Sequence, residues 1–152
     1  MTKHESIASA LFRSGANCAQ AVFAAFSDEL GIDREYALRL SSPFGGGMGR
    51  MREVCGAVSG MLMVLGHLEG YSDHDDQSKK ALYTRVQSLM KAFEAEKGSY
   101  LCRELLKTSG PENPAPARRD DAFYASRPCE GCIRFAAALA DEYILAGKKL
   151  PE

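Results

Sequence analysis

The stretch LYTRVQSLMKAF, residues 82–93, places its apolar residues three or four positions apart. This spacing aligns Leu82, Val86 and Leu89 on one face of a helix, because an α-helix turns once every 3.6 residues. Similar faces recur elsewhere in the chain, at residues 7–12, 22–30 and 133–144. No stretch alternates apolar and polar residues in the way of a half-buried strand. The pattern predicts an all-α fold, a single-domain helical bundle of about five to six helices.

Glycine and proline indicate where these helices begin and end. The second helix is predicted between Gly15 and Gly31, and Gly98 ends the long helix around residues 82–93. Residues 109–128 hold four of the six prolines, so we expect an extended connection there rather than a helix. Because no internal repeat is present, residues 1–152 are predicted to form one domain.

The composition of the chain argues against two classes of function, nucleic-acid binding and membrane insertion. The 152-residue chain has a formal net charge of −1, and its basic residues do not gather into a stripe, so no nucleic-acid partner is expected. The longest apolar stretch, residues 54–68, is too short and too interrupted by glycine to span a bilayer. The N-terminus lacks the apolar core of a signal peptide. We therefore expect a cytoplasmic protein without membrane insertion.

Cysteines are the most informative part of the composition. Five of them is an odd number, and in a reducing compartment they are more typical of thiols, metal ligands or redox centres than of a disulfide framework. Four are predicted to lie where helices begin, and the last of these opens a Cys-x-x-Cys pair. Helix N-termini stabilise thiolates, so this repeated placement favours a chemical role. The five are Cys18, Cys55, Cys102, Cys129 and Cys132.

Cys55 is the strongest candidate for a reactive thiolate. A helix that begins near Val54 places Cys55 in its first turn, where the helix dipole favours an anion. Arg50 and Arg52 are close enough in sequence to add positive charge. We therefore expect Cys55 to have a lowered pKa. The alternative is a buried cysteine with a packing role, because free cysteine is among the most buried residue types.

The helix that follows Cys55 is rich in small residues. Gly56 and Gly60 are four positions apart on one face, so the backbone of another helix, and with it another cysteine, can come close. The same small-residue helix, from Gly56 to Gly66, supports a different class of function, in which it docks a partner protein.

The loop FGGGMGR, residues 44–50, has two interpretations. Consecutive glycines can turn their N–H groups toward a phosphate or sulfate, which makes the loop a candidate anion- or cofactor-binding nest. A plain tight turn is the alternative, since the loop lacks the Lys-Ser/Thr of a phosphate loop. The candidate binding residues are Gly45, Gly46, Gly47, Gly49 and Arg50.

Structural roles are expected for several other side chains. His4 is placed in a mobile N-terminal segment, and Ser99 is expected to cap the helix that carries Cys102. Four methionines are expected to fill the core rather than to bind copper, because methionine adapts to irregular gaps: Met48, Met51, Met61 and Met63.

Five motifs occur in an order that is typical of one family: NCAQA at 17–21, FGGGMG at 44–49, CGAVSG at 55–60, CRELL at 102–106, and Cys129 before Ile133. In this set the chain resembles the C_GCAxxG_C_C family of redox-active proteins, which carry a CGAxxG motif and four characteristic cysteines. The resemblance implies that Cys18, Cys55, Cys102 and Cys129 are the functional cysteines. Cys132 stands where the resemblance suggests an apolar residue, so it is either a packing residue or a resolving thiol.

Three functions follow, from different classes. In the leading hypothesis the four cysteines converge into one cluster for thiol–disulfide or electron-transfer chemistry, the chemistry of a thiol–disulfide oxidoreductase with an unidentified redox partner. In the second, Cys18, Cys55, Cys102 and Cys129 hold zinc or an iron–sulfur cluster. In the third, the small-residue helix mediates protein interaction, and a homo-oligomer is one form of it.

Overall fold

Helices account for the architecture of residues 1–150, which are the residues that the computed structural model describes. These residues contain no β-strand, and six of the helices have seven or more residues, which confirms the all-α prediction. The last two residues of the predicted domain lie outside the described part. The α-helices are α1 Lys3–Arg13, α2 Cys18–Ala25, α3 Ser27–Leu30, α4 Arg34–Ser41, α5 Gly45–Met48, α6 Gly56–Glu69, α7 Asp76–Lys97, α8 Cys102–Leu106, α9 Asp121–Ser126 and α10 Cys129–Leu139.

The helix α2 lies at the centre of the molecule. Its side chains from Ala21 to Ala25 are all buried, and it packs against α1, α4, α6 and α10. Its start is fixed locally by Asn17, whose side chain accepts from the Gln20 amide while the Gln20 side chain accepts from the Asn17 amide. This reciprocal cap satisfies two N–H groups that the helix itself leaves open.

Two glycines of α6 allow α2 to come close. A Cβ atom on Gly56 would lie 3.0 Å from the Ala19 nitrogen and 3.1 Å from the Cys18 Cβ. A Cβ atom on Gly60 would lie 2.7 Å from the Ala19 carbonyl oxygen. The prediction that these glycines admit another helix and another cysteine is confirmed. The face of α6 that carries Gly56 and Gly60 is therefore not free to dock a partner protein, because α2 of the same chain already covers it.

The second and last helices are less regular than predicted. The second ends at Ala25, and Phe26 leaves the helical path with its ring stacked on His4, with ring centroids 4.2 Å apart. The last is α-helical only to Leu139 and continues as a π-helix from Ala140 to Leu145. Within residues 1–150, no helix has both the length and the apolar character that crossing a bilayer requires.

The prediction of a wholly extended connection over residues 109–128 is wrong, because α9 forms within it. Asp120 caps this helix by accepting from the Phe123 amide. The rings of Phe123 and Tyr124 then pack against Phe12, at centroid distances of 6.1 and 5.5 Å. Aromatic packing against α1 therefore overrides the local influence of the prolines.

Three expectations about single side chains are also wrong. His4 is buried, not mobile: its Nδ1 lies 2.6 Å from Asp141 Oδ1 and its Nε2 lies 2.9 Å from Glu29 Oε2. Met48 and Met51 are exposed, because Met48 is the last residue of the short helix α5 and Met51 lies in the turn that follows it, and the side chains of both face away from the core.

Candidate functional site

All four family cysteines lie at helix starts, as predicted. Cys18, Cys102 and Cys129 are the first residues of α2, α8 and α10, and Cys55 is the N-cap residue of α6 rather than part of its first turn. Ser99 is not the cap of α8. Its hydroxyl accepts from the Leu101 amide, and Leu101 is the N-cap residue.

A short backbone pairing places two of these starts side by side. Val54 and Leu101 form an isolated antiparallel bridge. The Cys55 amide donates to the Tyr100 carbonyl at 2.8 Å, and the Cys102 amide donates to the Glu53 carbonyl at 2.6 Å. These bonds fix Cys55 and Cys102 relative to each other although the chain between them makes two long helices.

The thiols meet in pairs, and all five are free. The Cys18 thiol lies beside Cys129 and the Cys55 thiol lies beside Cys132, each pair close enough for the two thiols to interact. Cys102 lies close enough to raise the pKa of Cys18 electrostatically. The structure therefore brings the four predicted cysteines into one cluster and adds Cys132 to it as the partner of Cys55.

Cys129 is the thiol most readily ionised in this cluster. The hydrogen bond from Cys18, together with the positive charges of Arg127, Arg52 and Arg119, lowers the pKa of Cys129 to about 7 despite its partial burial. The same bond and the burial of Cys18 raise the pKa of the Cys18 thiol. Of the two thiols, Cys129 is therefore the one that loses its proton first as the pH rises.

The expectation of a lowered pKa for Cys55 is wrong. Its hydrogen bond to Cys132 and its burial raise the pKa of Cys55, and these effects outweigh the amides of Ala57 and Val58 at the start of α6. In the partner thiol, the bond from Cys55 and the charge of Lys97 lower the pKa of Cys132. The burial of Cys55 cancels the advantage of its helix start.

Arg52 is hydrogen bonded to the thiol of Cys102, whereas the sequence suggested that its charge would act on Cys55. Its Nη1 lies 3.5 Å from the Cys102 Sγ, and its Nε donates to Glu112. Arg50 also turns toward Glu112 and donates to the Asn113 carbonyl at 2.7 Å. Burial still raises the pKa of Cys102, although Arg52 opposes that shift.

A cavity of about 200 Å³ opens onto the cluster. Of the predicted site residues, all but Cys129 and Gly49 line it: Cys18, Gly45, Gly46, Gly47, Arg50, Cys55 and Cys102.

Tight packing explains the glycines of the loop that borders this cavity. Gly46 and Gly47 have left-handed φ values of 69° and 65°. A Cβ atom on Gly47 would lie 2.6 Å from the Cys102 Cβ, and one on Gly45 would lie 2.1 Å from the Asn17 Cγ. The loop is therefore the tight turn that lets the starts of α2 and α8 meet at the cavity.

Two arginines of this site were not among the residues predicted from the sequence. Arg119 lines the cavity and donates to the carbonyls of Phe12 and Ala16 at 3.0 and 3.1 Å. Arg127 also lines it, with its guanidinium 4.5 Å from the Phe123 ring centroid. Both belong to the connection that was expected to be extended. The available signal was the position of Arg127, two residues before Cys129.

The metal hypothesis needs three or four donor side chains around one point. Among the residues from 1 to 150, no three His, Cys, Asp or Glu side chains are grouped to hold an ion. The donors of this cluster are arranged as two hydrogen-bonded thiol pairs and one thiol beside an arginine. As arranged here, the cysteines do not fit a shared tetrahedral centre.

The protein is thus of a cysteine-based helical class: its thiols, three buried and two partly buried, lie next to an arginine-lined cavity. The family model described as "Putative redox-active protein (C_GCAxxG_C_C)" matches residues 16–143, which is most of the chain. The chain belongs to this family, as the resemblance of its motifs predicted. Comparison with curated proteins and with solved structures finds no match.

Proposed function

We propose that the protein transfers electrons by thiol–disulfide exchange, with Cys129 as the attacking thiolate and Cys18 as the resolving thiol. The observation that carries this proposal is the pairing of the Cys18 thiol with Cys129, which together with the charges of nearby arginines lowers the pKa of Cys129 to about 7. A thiol with a pKa near the ambient pH combines a useful thiolate fraction with good nucleophilicity. The description of the family as redox-active supports the same chemistry.

The exchange proceeds in two balanced steps. The Cys129 thiolate attacks one sulfur of a substrate disulfide, the substrate S–S bond breaks, and a mixed disulfide forms as one thiolate leaves. The Cys18 proton passes to that departing thiolate, and Cys18 then attacks the Cys129 sulfur and releases the second thiolate. Two electrons have moved to the substrate, and a Cys18–Cys129 disulfide remains. A dithiol reductant restores the protein by the reverse exchange.

Cys55 and Cys132 form a second dithiol in this proposal. Both thiols are buried and hydrogen bonded to each other. Cys132 also lines a separate cavity beside Lys97 and Lys107, whereas Cys55 lines the arginine-rich one. The second pair therefore extends between two openings, while the first pair, being less buried, reacts first.

Disulfide mapping tests the assignment of pairs. The reduced protein is exposed to oxidised glutathione, blocked at intervals, and cleaved after glutamate. This places every cysteine in its own peptide, because Glu130 separates Cys129 from Cys132 and other glutamates separate the rest. The Cys18–Cys129 disulfide is expected first and the Cys55–Cys132 disulfide later. A first disulfide that joins any other two cysteines would contradict the proposal.

Two controls sharpen this experiment. The Cys129→Ser variant is expected to lose the fast disulfide while Cys55 and Cys132 still pair, and Cys102→Ser is expected to keep both disulfides. Elemental analysis of the same protein, purified without oxygen or a metal-affinity tag, tests the metal alternative. Zinc or iron near one equivalent per chain, lost in Cys129→Ser, would replace this proposal with metal binding.

A further inference from the structure

The cavity above the thiols has an excess of positive charge. Four guanidinium groups line it, and among the residues that the structure describes no aspartate or glutamate does. One carboxylate, that of Glu112, pairs with two of these guanidiniums from outside the lining. The four arginines are Arg50, Arg52, Arg119 and Arg127.

Arg52 has an unused donor at this position. The side chain is 2% exposed, its Nε donates to Glu112, and its Nη1 faces the Cys102 Sγ. Its Nη2 is buried and has no hydrogen-bond partner among residues 1–150. A buried guanidinium N–H without a partner is costly, so an acceptor that enters the cavity gains a strong charge-assisted bond.

The N-terminal ends of two helices add to the positive potential in the cavity. The cavity is lined by Asn17, Cys55 and Gly56, which lie at the N-terminal ends of α2 and α6. Cys55 provides no side-chain cap to α6. The positive ends of two helices of eight and fourteen residues therefore face the space that Arg52 lines.

We propose that this cavity binds the carboxylate or phosphate group of a small acidic disulfide, which is the substrate class of the exchange proposed above. Arg52 donates to the anion through Nη2, and Arg127 faces it from the end of α9. Arg119, held by two backbone carbonyls, contributes charge. Cys18 lines the same cavity and its partner Cys129 lies next to it outside the lining, so an anion bound there brings the attached disulfide to the Cys18 side of the pair. A volume of about 200 Å³ admits such a group.

Binding of inorganic phosphate tests the anion site without any redox reaction. Calorimetric titration of the reduced protein at constant ionic strength is expected to show saturable binding. Arg52→Lys, which keeps the charge but lacks Nη2, and Arg127→Gln are each expected to weaken it about tenfold or more, the loss typical of one charge-assisted hydrogen bond. The matched control is Arg118→Gln, since Arg118 is 89% exposed beside Arg119 and does not line the cavity. Equal affinity in wild type, Arg52→Lys and Arg127→Gln would overturn the inference.

A pair of substrates separates this inference from the proposed function on which it rests. The wild type is expected to reduce dithiodipropionate at least tenfold faster than the neutral bis(2-hydroxyethyl) disulfide, and Arg52→Lys to bring that ratio close to one, while Arg118→Gln preserves it. Equal rates for both disulfides in the wild type overturn the acidic-substrate inference and leave the exchange chemistry intact. If neither disulfide is reduced, the proposed exchange fails, and phosphate binding still decides whether the anion site exists.

Discussion

At the residue scale, Cys18 and Cys129 differ in the pKa of their thiols although both stand at the start of a helix. Cys18 and Cys129 each begin a helix, and the dipole argument alone treats them alike. The interaction with Cys18 and the charges of Arg127, Arg52 and Arg119 lower the pKa of Cys129, whereas the same interaction and burial raise the pKa of Cys18. Cys55 shows the converse, because a favourable helix start is not sufficient to ionise a buried thiol that donates to another thiol.

The ionisation of Cys129 can be titrated by alkylation. The rate of its reaction with iodoacetamide is expected to increase with pH around a midpoint near 7, since the group is a neutral thiol below its pKa and a thiolate above it. Cys18→Ala removes the donor and is expected to raise the midpoint by about one to two pH units, the equivalent of a hydrogen bond to a charged group.

The matched variant is Cys18→Ser, whose hydroxyl can still donate, so its midpoint is expected to stay closer to that of the wild type. Mass spectrometry after cleavage on both sides of Cys129, at Glu112 and Glu130, reports this cysteine alone. If Cys18→Ala and Cys18→Ser have the same midpoint as the wild type, Cys18 is not the donor to Cys129.

At the scale of elements, the contact between α2 and α6 brings Cys18 and Cys55 to one cavity. The close approach depends on the absence of side chains at Gly56 and Gly60, and the neighbouring atoms include backbone atoms of Ala19. Backbone atoms cannot move aside as the end of a flexible side chain can. The CGAxxG motif of the family therefore has a packing explanation in this chain, in addition to its cysteine.

A single methyl group tests that explanation. Gly60→Ala places a Cβ atom 2.7 Å from the Ala19 carbonyl oxygen and is expected to lower the free energy of unfolding by about 1–3 kcal/mol. Gly66→Ala in the same helix meets nothing within 4 Å and is expected to raise it by about 0.5–1 kcal/mol. Urea denaturation of both variants measures the difference. Equal stability of the two would contradict tight packing of α2 on α6.

At the scale of the whole molecule, His4 ties the two ends of the chain together. It bridges Glu29 of α3 and Asp141 of the π-helix, and its ring stacks on Phe26. Thr2 adds a hydrogen bond from its hydroxyl to Asp141 at 2.7 Å. These contacts hold α1 against the end of the last helix, and α1 and α10 also pack directly on each other.

Removal of this imidazole is expected to destabilise the protein. His4→Ala leaves a gap beside Phe26 and two carboxylates without their shared partner, so the free energy of unfolding is expected to decrease by about 2–4 kcal/mol. The control is His74→Ala, because His74 is exposed and its change is expected to be within about 0.5 kcal/mol. Thermal and urea denaturation measure both. Equal losses for the two variants would show that His4 is not a tertiary contact.

Features that depend on neighbouring residues could be predicted from the sequence, and features that depend on contacts between distant segments could not. The helix around residues 82–93 and the cysteines at helix starts follow from nearby residues, and both are present. The errors involve contacts between distant segments. Phe123 folds α9 onto α1 in a proline-rich segment, and His4 is buried because Glu29 and Asp141 receive it.

The sequence by itself determined the helical class, the placement of thiols at helix starts and the close approach permitted by Gly56 and Gly60, because each depends on the spacing of a few adjacent residues. Only the tertiary structure decided that Cys18 meets Cys129, that Cys55 meets Cys132, and that Arg52 faces Cys102. The ionisation of a thiol depends on burial and on charges within a few ångströms. Those neighbours are contributed by parts of the chain that are far apart in sequence.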